Sequence, residues 1–209
     1  MTWLNDGHPG DPPGLNDIDL VTNANILYTL ARYDQLCAPG IEAAVAMVNT
    51  VILAGYHEAL ASQVSPYYAP NGAIHYCVSR AYHEGPVPGL APAIERLADE
   101  LEPSFLVADD GTFFWDRGDP HLNTALAVLT LLNAGRKGPV VDGAIKYLLA
   151  RQDPVFGNWQ AGVFFRGRTM SGVRFAWRSS ALTTAFVVAA LCRHALAMVA
   201  GMSFRQSDP

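Results

Sequence analysis

The chain has 209 residues, half of them apolar and 16% charged, which is enough for one sizeable core and too apolar for wholesale disorder. A formal net charge of −5, with Lys137 and Lys146 the only lysines among scattered arginines, supplies no basic face for phosphates and excludes a nucleic-acid partner. Cys37, Cys77 and Cys192 lie too far apart and too few for a disulfide framework, so a reducing, cytoplasmic setting is expected. Apolar residues recur at helical spacing and period-2 alternation is rare, so the expected fold is all-α, a single domain over residues 1–209. A first helix is expected over Asp17–Leu36, capped by Asn16 or Asp17 and stopped by Ala38-Pro39-Gly40. A second covers Ile41–Ala61 and ends before Ser65-Pro66. A third covers Pro70–His83, and a fourth Ala91–Leu101 follows the Gly85-Pro86-Val87-Pro88 loop. Asp109–Gly118 reads as irregular and aromatic. A fifth helix covers Pro120–Asn133 and a sixth Val140–Arg151, followed by a long loop, Gln152–Trp177, rich in Gly, aromatics and Arg. The last helix, Ser179–Val199, is apolar but broken by Cys192-Arg193-His194, which reads as a buried helix and not a bilayer span. The first ten residues carry neither a basic region nor an apolar run, so no secretory leader is expected.

The odd-numbered helices start near positions 17, 70, 120 and 179, so two helices make a repeating unit of roughly 50–60 residues. These helices open with small polar residues (Asn16, Asp17 and Asp19; Asn71 and His75; His121, Asn123 and Thr124; Ser179, Ser180, Thr183 and Thr184) and then turn apolar. The even-numbered ones carry the surface charge. That division fits hairpins curled into a partial α/α toroid of about seven helices, with the polar tips of an inner ring facing a shared hollow. A plain antiparallel bundle would share the pattern.

Two segments resemble a known family. Asp142-Gly143 through Tyr147-Leu148 to Gln152, then Gly157-Asn158-Trp159, resembles the glutamine–tryptophan repeat of squalene–hopene cyclases and protein prenyltransferases. Asp110-Gly111-Thr-Phe-Phe-Trp115 looks like a degenerate second copy. Asn16-Asp17-Ile18-Asp19-Leu20 resembles the acidic segment of class II terpene cyclases, with Asp19 at the position of the proton donor and Leu20 where the family has Asp or Thr. A full ring of this kind has about twelve helices, so this chain resembles the C-terminal part of one. An open ring would bare inner apolar surface, and a homodimer is expected to cover it.

The resemblance implies an enzyme acting on a small apolar, isoprenoid-like molecule. Asp19 would be the acid, Asp17 and Asn23 its neighbours, and His75, His121, Asn123, Trp115, Trp159, Phe165 and Trp177 the cavity walls. No cofactor and no metal are expected. His75-x-Cys77 is poor zinc spacing, since residues two apart on a helix point away from each other. Two alternatives stand beside this: a non-catalytic toroid that binds a lipid or partner protein, and a hydrolase or lyase using carboxylates among Asp109, Asp110, Asp116 and Asp119. In the long loop, aromatics interleaved with Arg166, Arg168, Arg174 and Arg178 suit either a lid over an apolar or anionic ligand or a cover for helix ends.

Overall fold

The computed structural model describes residues 19–68, 72–168 and 173–205. Helices dominate it: α1 (Leu20–Arg32), α2 (Ile41–Leu53), α3 (Tyr56–Ala59), α4 (Ala61–Val64), α5 (Ala73–His83), α6 (Ala91–Leu101), α7 (Pro120–Asn133), α8 (Pro139–Ala150) and α9 (Ser180–Arg205). Two short antiparallel hairpins accompany them, β1 (Leu106–Val107) with β2 (Phe113–Phe114) and β3 (Gly162–Arg168) with β4 (Arg174–Ser179). Local chemistry accounts for most boundaries. Proline stands at the start of α6, α7 and α8, where its missing N–H needs no partner. Along α6, Ala93, Ile94, Leu97, Ala98 and Leu101 form one buried stripe, while Glu95, Arg96, Asp99 and Glu100 stay outside the core.

Four sequence expectations are corrected. The expected second helix breaks at Gly55, which takes the left-handed conformation (φ +73°) that a helix interior cannot hold. It therefore ends at Leu53, and two single turns, α3 and α4, follow. The first helix starts at Leu20, so Asp19, not Asn16 or Asp17, is its N-cap; Asp17 and Asn16 lie outside the described residues. The loop expected over Gln152–Trp177 contains β3 and most of β4. Arg174, Ala176 and Arg178 alternate there with Phe175 and Trp177, which is strand periodicity that the arginines obscured. Finally, α9 is not a buried helix. Its segment Ser180–Val199 is by length and composition apolar enough to cross a membrane, and only 17% of that stretch is buried.

The packing has two layers. In one, α1 lies on α5, α5 on α7 and α7 on α9; in the other, α2 covers α1, α6 covers α5 and α7, and α8 covers α7 and α9. The first layer runs parallel. The amide of Gly72, at the start of α5, donates to Asn123 Oδ1 in the first turns of α7 (3.0 Å). The entry to β3 ties α7 to α9: Val163 N donates to Asp119 Oδ2 and Gly162 N to Thr183 Oγ1. The layer is also bent. Tyr76 of α5 meets Phe186 of α9 edge-on at 5.1 Å between ring centroids, and Arg193 of α9 pairs with Glu84 just after α5. Thus α5 and α9 touch across α7, which explains why α7 is buried without interruption from Leu122 to Leu131.

Candidate functional site

The starting ends of three helices share one device. Asn23 Nδ2 donates to the carbonyl of Asp19 (2.8 Å), Asn123 Nδ2 to that of Asp119 (3.0 Å), and Thr183 Oγ1 to that of Ser179 (3.0 Å). Each side chain reaches back four residues to close the first turn. The amide oxygen of Asn123 then accepts from Gly72 N, and the Thr183 hydroxyl accepts from Gly162 N. Asn23 therefore braces the backbone of Asp19 and not its carboxylate. Asn123 clamps two helix starts together.

The two tryptophans of the repeated segments also match each other. Trp115 N donates to Thr124 Oγ1 and its indole N–H to the carbonyl of Leu101; Trp159 N donates to Thr184 Oγ1 and its indole N–H to the carbonyl of Leu148. Each tryptophan thus ties the end of one helix, α6 or α8, to the first turns of the next, α7 or α9. Gln152, by contrast, bonds within its own loop, to Gly157 O at 2.8 Å.

Asp19 is fully buried. Its Oδ1 accepts from Thr22 N at 2.7 Å, the capping bond of α1, and Ser65 Oγ donates to Oδ2 at 3.3 Å. Burial raises the carboxyl above its usual proton affinity, against the pull of those two bonds toward the charged form. No cation among the described residues pairs with it. Asp119, which holds the corresponding place on α7, differs: its carboxylate takes Arg178 (3.2 Å) and Val163 N. The other aspartates of the aromatic loop are engaged locally. Asp110 accepts from the Thr112 hydroxyl, from Thr112 N and from Arg151, which hold its pKa down near 2, and Asp116 accepts from Gly118 N. The bonds to Thr112 N and Gly118 N are turn bonds.

Ser65 opens the segment that carries Tyr67 and Tyr68. Tyr68 bridges to Phe165, Arg166 N donates to Tyr67 O, and Tyr67 stacks on Phe165 at 6.3 Å. Between this segment and the β3–β4 hairpin lies a half-open cleft of about 600 Å³, lined by Pro66, Tyr67, Arg166, Arg174 and Phe175 among others. Trp177 is half-exposed on β4, and neither it nor Trp159 lines the cleft. His121, half-buried beside Tyr147, has its proton affinity lowered by burial and by Arg151.

A second constellation surrounds His75. His57 and Glu58 on α3 face it, with the two imidazoles edge-on at 5.7 Å. His57 Nε2 lies 2.9 Å from Glu100 Oε2, Arg96 holds the other oxygen of Glu100 at 2.6 Å, and Arg117 holds Glu58 at 2.7 Å. His75 is buried; desolvation, then the positive charge of Arg117, lowers its pKa to about 3, so the ring is neutral. The Nδ1 atoms of both histidines are buried without a hydrogen-bond partner, a state that costs on the order of 1–3 kcal/mol per group. A void of about 10 Å³, room for a single water, is lined by His75, Asn123, Trp115 and Arg117. Three expected wall residues thus meet, around a space far too small for an isoprenoid. Sequence reasoning missed His57, Glu58, Glu100 and Arg117. The available signal was the His57-Glu58 pair next to the helix-breaking Gly55.

Comparison with known proteins matches no family model and no curated protein to this chain. The site therefore speaks through its own geometry.

Proposed function

We propose that the protein is an enzyme acting on a small apolar, isoprenoid-like molecule, with Asp19 as proton donor in the manner of terpene cyclases, on a partial α/α toroid. The burial of the Asp19 carboxyl carries this reading. A carboxyl kept from water, without a cation beside it, holds its proton more tightly than a solvated one, and a neutral acid is what protonation of an alkene consumes. As the O–H bond breaks, the π electrons of the alkene take the proton and the charge left on Asp19 falls to Thr22 N and Ser65 Oγ. These donors take the place of the acidic neighbour that Leu20 cannot supply.

The cleft beside Ser65 supports the substrate class. Tyr67 and Phe175 offer apolar and π surface for a chain or a developing cation, and Arg166 and Arg174 suit an anionic head. The contact of α5 with α9 across α7 supports the curl that a toroid requires. The exposed flank of α9, with Val188, Leu196 and Met198, supports the homodimer, which light scattering should show as twice the chain mass.

Purified protein should convert a linear polyprene or polyprenyl diphosphate, and Asp19→Asn should abolish turnover without loss of fold. Turnover that survives Asp19→Asn rejects the role of Asp19. A second reading, binding of an apolar ligand without chemistry, is favoured by the engagement of both Asp19 oxygens in hydrogen bonds. It is the outcome if native mass spectrometry shows bound polyprene and no product forms.

A further inference from the structure

From the geometry around His75 we propose that His57, Glu58 and His75 bind a divalent transition-metal ion of the zinc class, independently of the chemistry assigned to Asp19. One ring nitrogen from each histidine and one carboxylate oxygen lie within 4.8 Å of one another. In a tetrahedral zinc site with bonds of about 2.0–2.2 Å, neighbouring ligand atoms stand about 3.3–3.5 Å apart. Side-chain rotations of under about an ångström each would therefore close the shell. His75 Nε2 already sits 4.0 Å from Glu58 Oε1. Two histidines and one carboxylate leave a fourth position open, which is the donor set of catalytic and not of structural zinc sites. The one-water void beside His75 offers room for that ligand.

Three further observations point to a ligand and not to packing alone. The side chain of His57 has no exposed surface and that of His75 is 4% exposed, yet each keeps an unpartnered ring nitrogen. Glu100 supplies the outer shell. A carboxylate only accepts, so His57 donates to Glu100 from Nε2, and Nδ1 is the nitrogen left for a ligand; metal-bound histidines are oriented by such carboxylates. Arg96 fixes Glu100 in turn. A cation already stands at the site: the partly exposed Arg117 guanidinium pairs with Glu58 and would have to yield to a metal ion.

The test uses the full chain, stripped with a chelator and titrated with Zn2+ by calorimetry and with Co2+ by visible absorption. One equivalent of either ion should bind. The cobalt complex should show the intense d–d band of a four- or five-coordinate site. Glu100→Gln should weaken binding about 10–100-fold, the range measured for outer-shell partners of metal-bound histidines. Glu58→Gln, at a partly exposed position that leaves the fold intact, should weaken it at least as much, and Arg117→Gln should tighten it. His57→Gln and His75→Gln should abolish stoichiometric binding, with far-ultraviolet circular dichroism confirming that the helices remain. Absence of binding by the unaltered chain overturns the proposal. So does binding that is insensitive to Glu58→Gln and Glu100→Gln, or a cobalt spectrum that is octahedral and weak.

Discussion

Replacing Asp19 separates its two physical roles. The first is the cap. Oδ1 satisfies Thr22 N, and an N-cap truncated to alanine loses about 0.5–2 kcal/mol. Asp19→Ala would also leave the buried Ser65 hydroxyl without its acceptor, at about 1 kcal/mol, so about 2 kcal/mol in all. Asp19→Asn behaves differently. Asparagine caps as well as aspartate, and its amide oxygen can take the same bond, so the capping contribution cancels. What remains is the buried charge. Because burial raises the proton affinity of Asp19 in the folded chain, the native state binds more protons than the unfolded one above pH about 3.9. The contribution of Asp19 to stability is fully present below that pH and is lost as pH rises through the folded value. Each tenfold difference in proton affinity corresponds to about 1.4 kcal/mol. Urea unfolding followed by circular dichroism at pH 4, 6 and 8 measures this. With a slope of about 2 kcal/mol per molar, Asp19→Ala should lower the midpoint by about 1 M at pH 4. Asp19→Asn should match the parent at pH 4 and exceed it at pH 8. An Asp19→Asn variant less stable than the parent at pH 8 would refute the claim that this carboxyl is disfavoured in its charged form.

Three other outcomes follow from the packing. Trp159→Phe removes the indole donor from the carbonyl of Leu148 and should cost about 1–3 kcal/mol in urea melts, whereas a change below 0.5 kcal/mol would show that the pin contributes nothing. In Gly143→Ala, the new methyl would run into the Phe113 ring, so about 1–3 kcal/mol of destabilisation is expected, and Phe113→Ala in the same chain should restore part of it. Burial pushes the Cys77 thiol up to about 12, so a thiol reagent at pH 8 should label exposed Cys37 and Cys192 quickly and Cys77 only on unfolding; mass mapping of labelled peptides reads this directly.

The sequence exposes some of these features and hides others for identifiable reasons. Helices α7 and α8 announce themselves because Pro120 and Pro139 open segments rich in apolar residues. The likeness of Asp110–Trp115 to the segment around Trp159 is legible in the residues, and the two tryptophans make matching bonds, one from the backbone amide and one from the indole N–H. The break at Gly55 is hidden because the apolar spacing continues through it, and only backbone geometry shows the left-handed turn. That error conceals His57 and Glu58, which sit inside what reads as the flank of one long helix. Nothing in spacing shows that an 18-residue separation brings His57 onto His75; tertiary packing alone makes that contact. Asp19 was legible as a polar residue at a helix start, but its burial depends on Ser65, 46 positions away.

The meeting of α5 with α9 above α7 makes the C-terminal helix a keystone. The Tyr76–Phe186 and Glu84–Arg193 contacts close an arch whose crown is the continuously buried α7. Removing α9 would strip a wall from α7, whose residues Leu122 to Leu131 are all shielded from water.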